Sequence, residues 1–169
     1  VYPDQSLRSN LIITDELVFA LQQGVHKKTT YFSFSVGQNY FFEMAKLRAF
    51  RWLWKQVCDL KNQPFSIFIQ CEISLSDFSK REENSNILRN TTSAMSAILG
   101  GCDSLIINSH DAAYSSFGKR IARNIHHILQ RESYFSDSEI SADDAAKGSY
   151  YIEYLTYQLC KKSWKKFSE

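Results

Sequence analysis

Residues 31–60 read YFSFSVGQNYFFEMAKLRAFRWLWKQVCDL, and this stretch decides the fold. Its first six residues alternate bulky and small side chains, which predicts a strand over residues 31–36 that Gly37 ends. From residue 38 to about 60, apolar side chains recur every three or four positions and predict one face of a long helix. They are Phe42, Ala45, Ala49, Leu53, Val57 and Leu60. The opposite stripe is polar and consists of Arg48, Arg51, Lys55 and Asp59.

The rest of the chain continues this alternation of helices and strands. Pro64 ends the long helix, and apolar runs at residues 65–69 and 104–108 predict two short buried strands. Further helices are predicted from Thr14 to a stop at Gly24, from Ile87 to Gly100 and Gly101, from Ile121 to Arg131, and from Ser149 onward. Residues 133–148 are polar and predict a loop.

The predicted order is helix, strand, helix, strand, helix, strand, helix, helix. Strands separated by amphipathic helices need crossover connections, so this α/β pattern predicts a parallel sheet covered by helices. The 169 residues are predicted to form one domain, because no linker or composition shift divides them. Three strands make a small sheet, and their apolar character asks for cover on both faces.

Composition excludes several classes of function. The chain is 44% apolar and 22% charged, which is typical of a globular domain rather than a disordered one. A net charge of +2 creates no strong field for nucleic acid or an anionic membrane. The longest apolar runs fall far short of the roughly 18 residues that a membrane helix needs. No charged-then-apolar leader opens the sequence, so nothing here predicts secretion.

The four cysteines predict a reducing compartment. Cys58, Cys71, Cys102 and Cys160 contain no CxxC pair, so the pattern favours buried thiols over a disulfide set or a zinc site. We therefore expect a cytoplasmic protein without a bound metal.

Four stretches resemble the adenosylcobalamin-dependent acyl-CoA mutases, and the methylmalonyl-CoA mutase family most closely. They are residues 37–48 (GQNYFFEMAKLR), residues 86–101 (NILRNTT followed by AMSAILGG from position 94), residues 120–124 (RIARN) and residues 148–153 (GSYYIE). Each motif is weak alone, but the four occur in the family's order and at about its spacing, over nearly the whole chain.

The resemblance implies a (β/α)₈ barrel, of which residues 1–169 would be the carboxyl-terminal half. The three strands would be the sixth, seventh and eighth, and no cobalamin-binding domain would be included. Three strands cannot close an eight-stranded barrel. The chain is therefore either a fragment of a longer polypeptide, the interpretation we favour, or a subunit that covers its sheet edge by pairing with another chain.

The resemblance also identifies residues at which this chain departs from catalytic family members. Those members hold coenzyme A with an Arg and a Ser at the start of the sixth strand, where this chain has Thr29 and Tyr31. At the seventh strand, His-Cys-Gln is replaced by Gln70-Cys71-Glu72. After the eighth strand, Asn-Ala-Leu-Asp-Glu is replaced by Asn108-Ser-His-Asp-Ala112. The substrate-facing His after the fifth strand would fall near Gln5. Each change removes a charge or hydrogen-bonding group that a ligand would use.

We therefore expect no catalytic residues, only remnants of a substrate pocket. These remnants are Thr29, Tyr31, Ser33, Gln70, Glu72, Asn108 and His110. The family's Asp-x-His-x-x-Gly loop, whose His coordinates cobalt, has no counterpart, since His110-Asp111 reverses the order and lacks the Gly. Adenosylcobalamin would then belong to the holoenzyme and not be bound by this chain through a His ligand.

Other candidate site residues have simpler interpretations. The adjacent His126 and His127 would point about 100° apart on a helix and cannot share a metal. Glu43 and Arg48 are predicted to be structural ion partners. His110 is either an ordinary loop histidine or a base near the barrel mouth. The aromatic pairs at 52/54 and 150/151 favour core or interface over base stacking, and the lysines near the end favour a solvated helix face.

Three functional hypotheses follow. The first is a non-catalytic small subunit that stabilises a catalytic, cobalamin-carrying mutase subunit in a heterodimer, or self-associates, in an enzyme that interconverts methylmalonyl-CoA and succinyl-CoA. The second is a fragment of an active acyl-CoA mutase. The third is a stand-alone module that binds another ligand among Tyr31, Gln70 and Asn108.

Overall fold

The computed structural model describes residues 13–76, 78–111, 113–133, 144 and 146–169. In chain order, the elements are α1 (Ile13–Lys27), β1 (Tyr31–Val36), α2 (Tyr40–Leu60), β2 (Phe68–Ile73), α3 (Ser85–Leu99), β3 (Ser104–Ile106), α4 (Ser116–Arg131) and α5 (Tyr150–Ser168). The predicted order of helices and strands is confirmed. None of the described helices is both long and apolar enough to cross a membrane.

The three strands form one parallel sheet in the order β1-β2-β3. Ser33 pairs with Gln70, and Gln70 with Ser104, so the register is continuous across the sheet. Since each strand is joined to the next through a helix, the arrangement is that of consecutive βα units. This is the fold of a part of a (β/α)₈ barrel, as the resemblance implied.

One face of the sheet, which we call the covered face, lies against the helices. Its side chains in β1 and β2 are buried and apolar: Phe32, Phe34, Val36, Ile69, Cys71 and Ile73. Phe50 of α2 packs edge-to-face on Phe32 and on Phe34, at ring-centroid distances of 4.7 Å. Helix α5 packs on the outside of α1 and α2. These side chains belong to the main hydrophobic core, which also contains the buried apolar side chains of the helices.

The opposite face, which we call the open face, is more exposed and more polar. It carries Tyr31, Ser33 and Ser35 from β1 and Phe68, Gln70 and Glu72 from β2. In a barrel this face would line the interior, because side chains alternate along every strand.

The second strand lies further along the chain than predicted. It runs from Phe68 to Ile73, whereas the apolar run at 65–69 was expected to form it. Phe65 is 48% exposed and precedes the strand. The true strand alternates apolar and polar residues, so Gln70 lies in its middle and not at its carboxyl end. The third strand is also shorter than predicted and ends at Ile106 with partly exposed side chains.

Gly24 does not end the first helix, which continues to Lys27. A Cβ at position 24 would lie 2.6 Å from Trp54 Cζ3 and 2.8 Å from Phe32 Cε1. Glycine therefore permits a close approach of α1 to the aromatic core. The sequence predicts a stop at this position because glycine more often follows a helix than packs inside one.

Two further predictions concern α2 and the loop before α5. The periodicity places Arg48 on a polar, outward stripe, but it is only 5% exposed because α5 covers it. Most of the predicted loop at 133–148, like Gln5 and Ala112, lies outside the described residues. The assignment of residues 1–169 to half of a barrel domain stays a prediction.

Candidate functional site

The amino-terminal part of the open face is occupied by an aromatic pair. The ring of Tyr31 stacks on Phe68 with centroids 5.3 Å apart and planes within 10°. The Tyr31 hydroxyl donates a hydrogen bond to Gln70 Oε1 on the neighbouring strand. Thr29 Oγ1 accepts from the backbone N–H of Tyr31 at 3.1 Å, which ties Thr29 to the start of the strand. Tyr31 is thus held against the sheet by three neighbours.

At the carboxyl-terminal part of the open face, the side-chain amide of Asn108 bonds to residues of β2. Asn108 Nδ2 donates to Glu72 Oε1 and to the carbonyl oxygen of Ile73, both at 3.1 Å. The carbonyl of Asn108 accepts from Asn90 Nδ2 of α3 at 2.9 Å. The structure therefore brings Glu72 and Asn108 together, as it does Tyr31 and Gln70, while Ser33 lies beside Gln70 in the register.

His110 sits beneath the start of α4. It is 4% exposed, and its ring packs edge-to-face on Phe117 at 5.9 Å. Its carbonyl accepts from Asn86 Nδ2 at 3.0 Å. Among the described residues, no group hydrogen-bonds to its Nδ1 atom. The imidazole is therefore packed into the loop under α4, an environment unlike that of a base that meets solvent or substrate.

Asp111, next to His110, organises the turn into α4. Its carboxylate accepts from the hydroxyls of Ser109 and Ser115, and from the backbone N–H of Ser115 at 3.2 Å. These hydroxyl bonds hold the pKa of Asp111 below its ordinary value, because they stabilise the ionised form. A side chain at Gly118 would collide with Ser109 Oγ and lie 2.6 Å from Asp111 Oδ1. The Asp111 carboxylate thus positions Ser115, the N-cap residue of α4, whose hydroxyl oxygen accepts from the backbone N–H of Gly118 at 2.9 Å.

A buried ionic cluster lies at the end of β1, and the sequence analysis missed it. Lys46 Nζ lies 3.0 Å from Glu16 Oε2 and 2.6 Å from Glu43 Oε2, and it donates to the carbonyl of Ser35 at 2.6 Å. Burial alone would lower the pKa of Lys46, but the two carboxylates outweigh it and raise the pKa above its ordinary value. The Glu43 side chain is therefore already engaged by the protein, as its predicted structural role requires.

The motif residues on different helices also contact one another. Arg48 of α2 donates through Nη2 to Glu153 of α5 at 2.8 Å, through Nε to Asp144 at 2.8 Å and through Nη1 to Thr156 at 3.1 Å. Burial disfavours the charged form of Arg48, but its bonds to Asp144 and Glu153 outweigh burial and raise the pKa of Arg48. The same bond to Arg48 lowers the pKa of Glu153. Arg48 is a structural ion partner, as predicted, and it joins the first sequence motif to the fourth.

The sequence of this chain matches a known protein family. The methylmalonyl-CoA mutase family model matches residues 20–169. The chain belongs to this family. The small subunit of a methylmalonyl-CoA mutase from Porphyromonas gingivalis is 38% identical over 144 residues, which cover 80% of this chain and 23% of that protein. A methylmalonyl-CoA mutase from Rhizobium meliloti is 39% identical over 140 residues, 79% of this chain and 19% of that protein.

A probable methylmalonyl-CoA mutase small subunit from Mycobacterium tuberculosis H37Rv is 31% identical over 146 residues, covering 80% of this chain and 23% of that protein. The chain thus spans about a fifth of the length of the curated relatives that it matches. Similar identity to small subunits and to whole mutases fixes the family but not the role within it.

The other candidate site residues from the sequence lie in surroundings that suit a structural role. His126 is half-buried and His127 exposed, and burial is the main cause of the lowered pKa of His126, with a smaller effect from His127. The described residues contain no cluster of three potential metal ligands. Trp54 is core and donates to the carbonyl of Ser66, while Trp52 is exposed.

The Lys46 cluster escaped prediction because its parts are distant in sequence. Glu43 and Lys46 are three residues apart, a spacing that normally indicates a weak surface pair. Glu16 lies 30 residues before Lys46 and reaches it only because α1 packs on α2. The small residues at 45 and 49 were the available signal that this part of α2 is tightly enclosed.

Proposed function

We propose that this chain is a non-catalytic structural part of a methylmalonyl-CoA mutase-type enzyme, either the small subunit or a fragment of it. The observation that supports this most is the state of the open face. Tyr31 is stacked on Phe68 and bonded to Gln70, and Glu72 is bonded to Asn108. The side chains that would meet an acyl-CoA in a barrel are paired with each other.

The electrostatics of the same surface support the proposal. A coenzyme A molecule brings several phosphate charges, which arginine and lysine side chains normally bind. Where catalytic relatives place a cation, Thr29 offers only a hydroxyl, which already accepts from the N–H of Tyr31. The carboxylate of Glu72 adds a negative charge near the end of the sheet. This face is therefore suited to a scaffold and poorly suited to an anionic thioester.

The residues present do not fit cobalt ligation by this chain. A histidine ligand must present an unhindered ring nitrogen to the metal. His110 is the histidine nearest the carboxyl ends of the strands, and its ring is buried under Phe117. We propose that adenosylcobalamin and acyl-CoA are bound by a catalytic subunit with which this chain forms a heterodimer, in a cytoplasmic enzyme whose free thiols suit that compartment.

Restoring the family's residues tests the proposal. In the full-length protein, we expect no binding of coenzyme A by isothermal titration calorimetry. Thr29→Arg with Tyr31→Ser removes the stacked ring and supplies a cation, so measurable binding should appear. Tyr31→Phe is the matched control, because it keeps the ring and loses only the hydroxyl, and it should remain without binding.

The second candidate is an active mutase of which this chain is a fragment, which similarity to whole mutases favours. The two are separated by measuring methylmalonyl-CoA isomerisation with the full-length protein alone and adenosylcobalamin. Turnover without a second subunit would refute the non-catalytic proposal. Activity that appears only with a catalytic subunit, and survives Tyr31→Ser in this chain, would support it.

A further inference from the structure

No further inference is drawn: the strongest candidate, the buried imidazole of His110 in the loop between β3 and α4, whose Nδ1 atom has no hydrogen-bond partner among the described residues, belongs to the candidate site already described, and nothing in the structure shows what it would bind.

Discussion

Replacing Lys46 with methionine would leave two buried carboxylates without their cation. The Lys46 side chain is 2% exposed, those of Glu16 and Glu43 are each 9% exposed, and both lie within 3.0 Å of Nζ. Removing one partner from a buried ion pair costs about 3–5 kcal/mol.

The expected loss comes from the two charges that Lys46 no longer balances. We expect Lys46→Met to lower the free energy of unfolding by about 3–5 kcal/mol, because Glu16 and Glu43 stay buried without their cation.

Urea unfolding of the full-length protein at neutral pH measures this loss. Lys55→Met is the matched control, since Lys55 is exposed on the same helix, and it should change the unfolding free energy by no more than about 0.5 kcal/mol. The triple variant with Glu16→Gln and Glu43→Gln should recover much of the stability, because it removes the two unbalanced charges. A loss below about 1 kcal/mol in Lys46→Met would refute the role of the cluster.

Two other substitutions test the joints between helices. Arg48→Met should lower the free energy of unfolding by about 2–3 kcal/mol. This is less than for the Lys46 change, because Asp144 and Glu153 are part-exposed and can be rehydrated. Hydrogen exchange should accelerate at the start of α5 but not in β1. Arg48 lowers the pKa of Glu153, so the stability that Glu153 contributes is present above its unfolded pKa and is lost as the pH falls through the folded value. Glu153→Gln should therefore flatten the fall of the unfolding free energy between about pH 5 and 3. Gly24→Ala should lower stability by about 1–3 kcal/mol through overpacking against Trp54, although alanine favours a helix by about 1 kcal/mol; a stabilised variant would contradict the close packing.

Local sequence patterns predicted an element correctly where its own alternation of side chains shows which face is buried. The alternation in residues 31–36 predicts β1 with its observed bounds, since a strand with a buried face must alternate. The prediction is wrong at β2, because the apolar run at 65–69 is more conspicuous than the alternation that includes Gln70 and Glu72. Gln70 and Glu72 suggest the end of a strand, but they lie within β2, on its open face.

Pairings across the fold could not be predicted in this way. That Tyr31 reaches Gln70, 39 positions later, depends on the strand register, and that Arg48 reaches Glu153 depends on how α5 packs. The resemblance to the mutase family identified the residues of the candidate site, but their mutual contacts appeared only in three dimensions. Helix burial was likewise invisible at Arg48, because a charged residue on a helix is normally exposed.

In the proposed function, the loss of ligand-binding groups and the retention of the fold are physically linked on the open face. A polar side chain inside a barrel that has lost its ligand must find another partner, since an unsatisfied buried polar group costs about 1–3 kcal/mol. Tyr31 with Gln70 and Glu72 with Asn108 are such partners, formed between neighbouring strands and the loop after β3. These pairs hold adjacent strands together, so a substitution that reopened the surface for a ligand would also remove cross-strand contacts. Restored coenzyme A binding in the Thr29→Arg, Tyr31→Ser protein should therefore be accompanied by a lower unfolding free energy in the absence of the ligand, which the Tyr31→Phe control should share only in part.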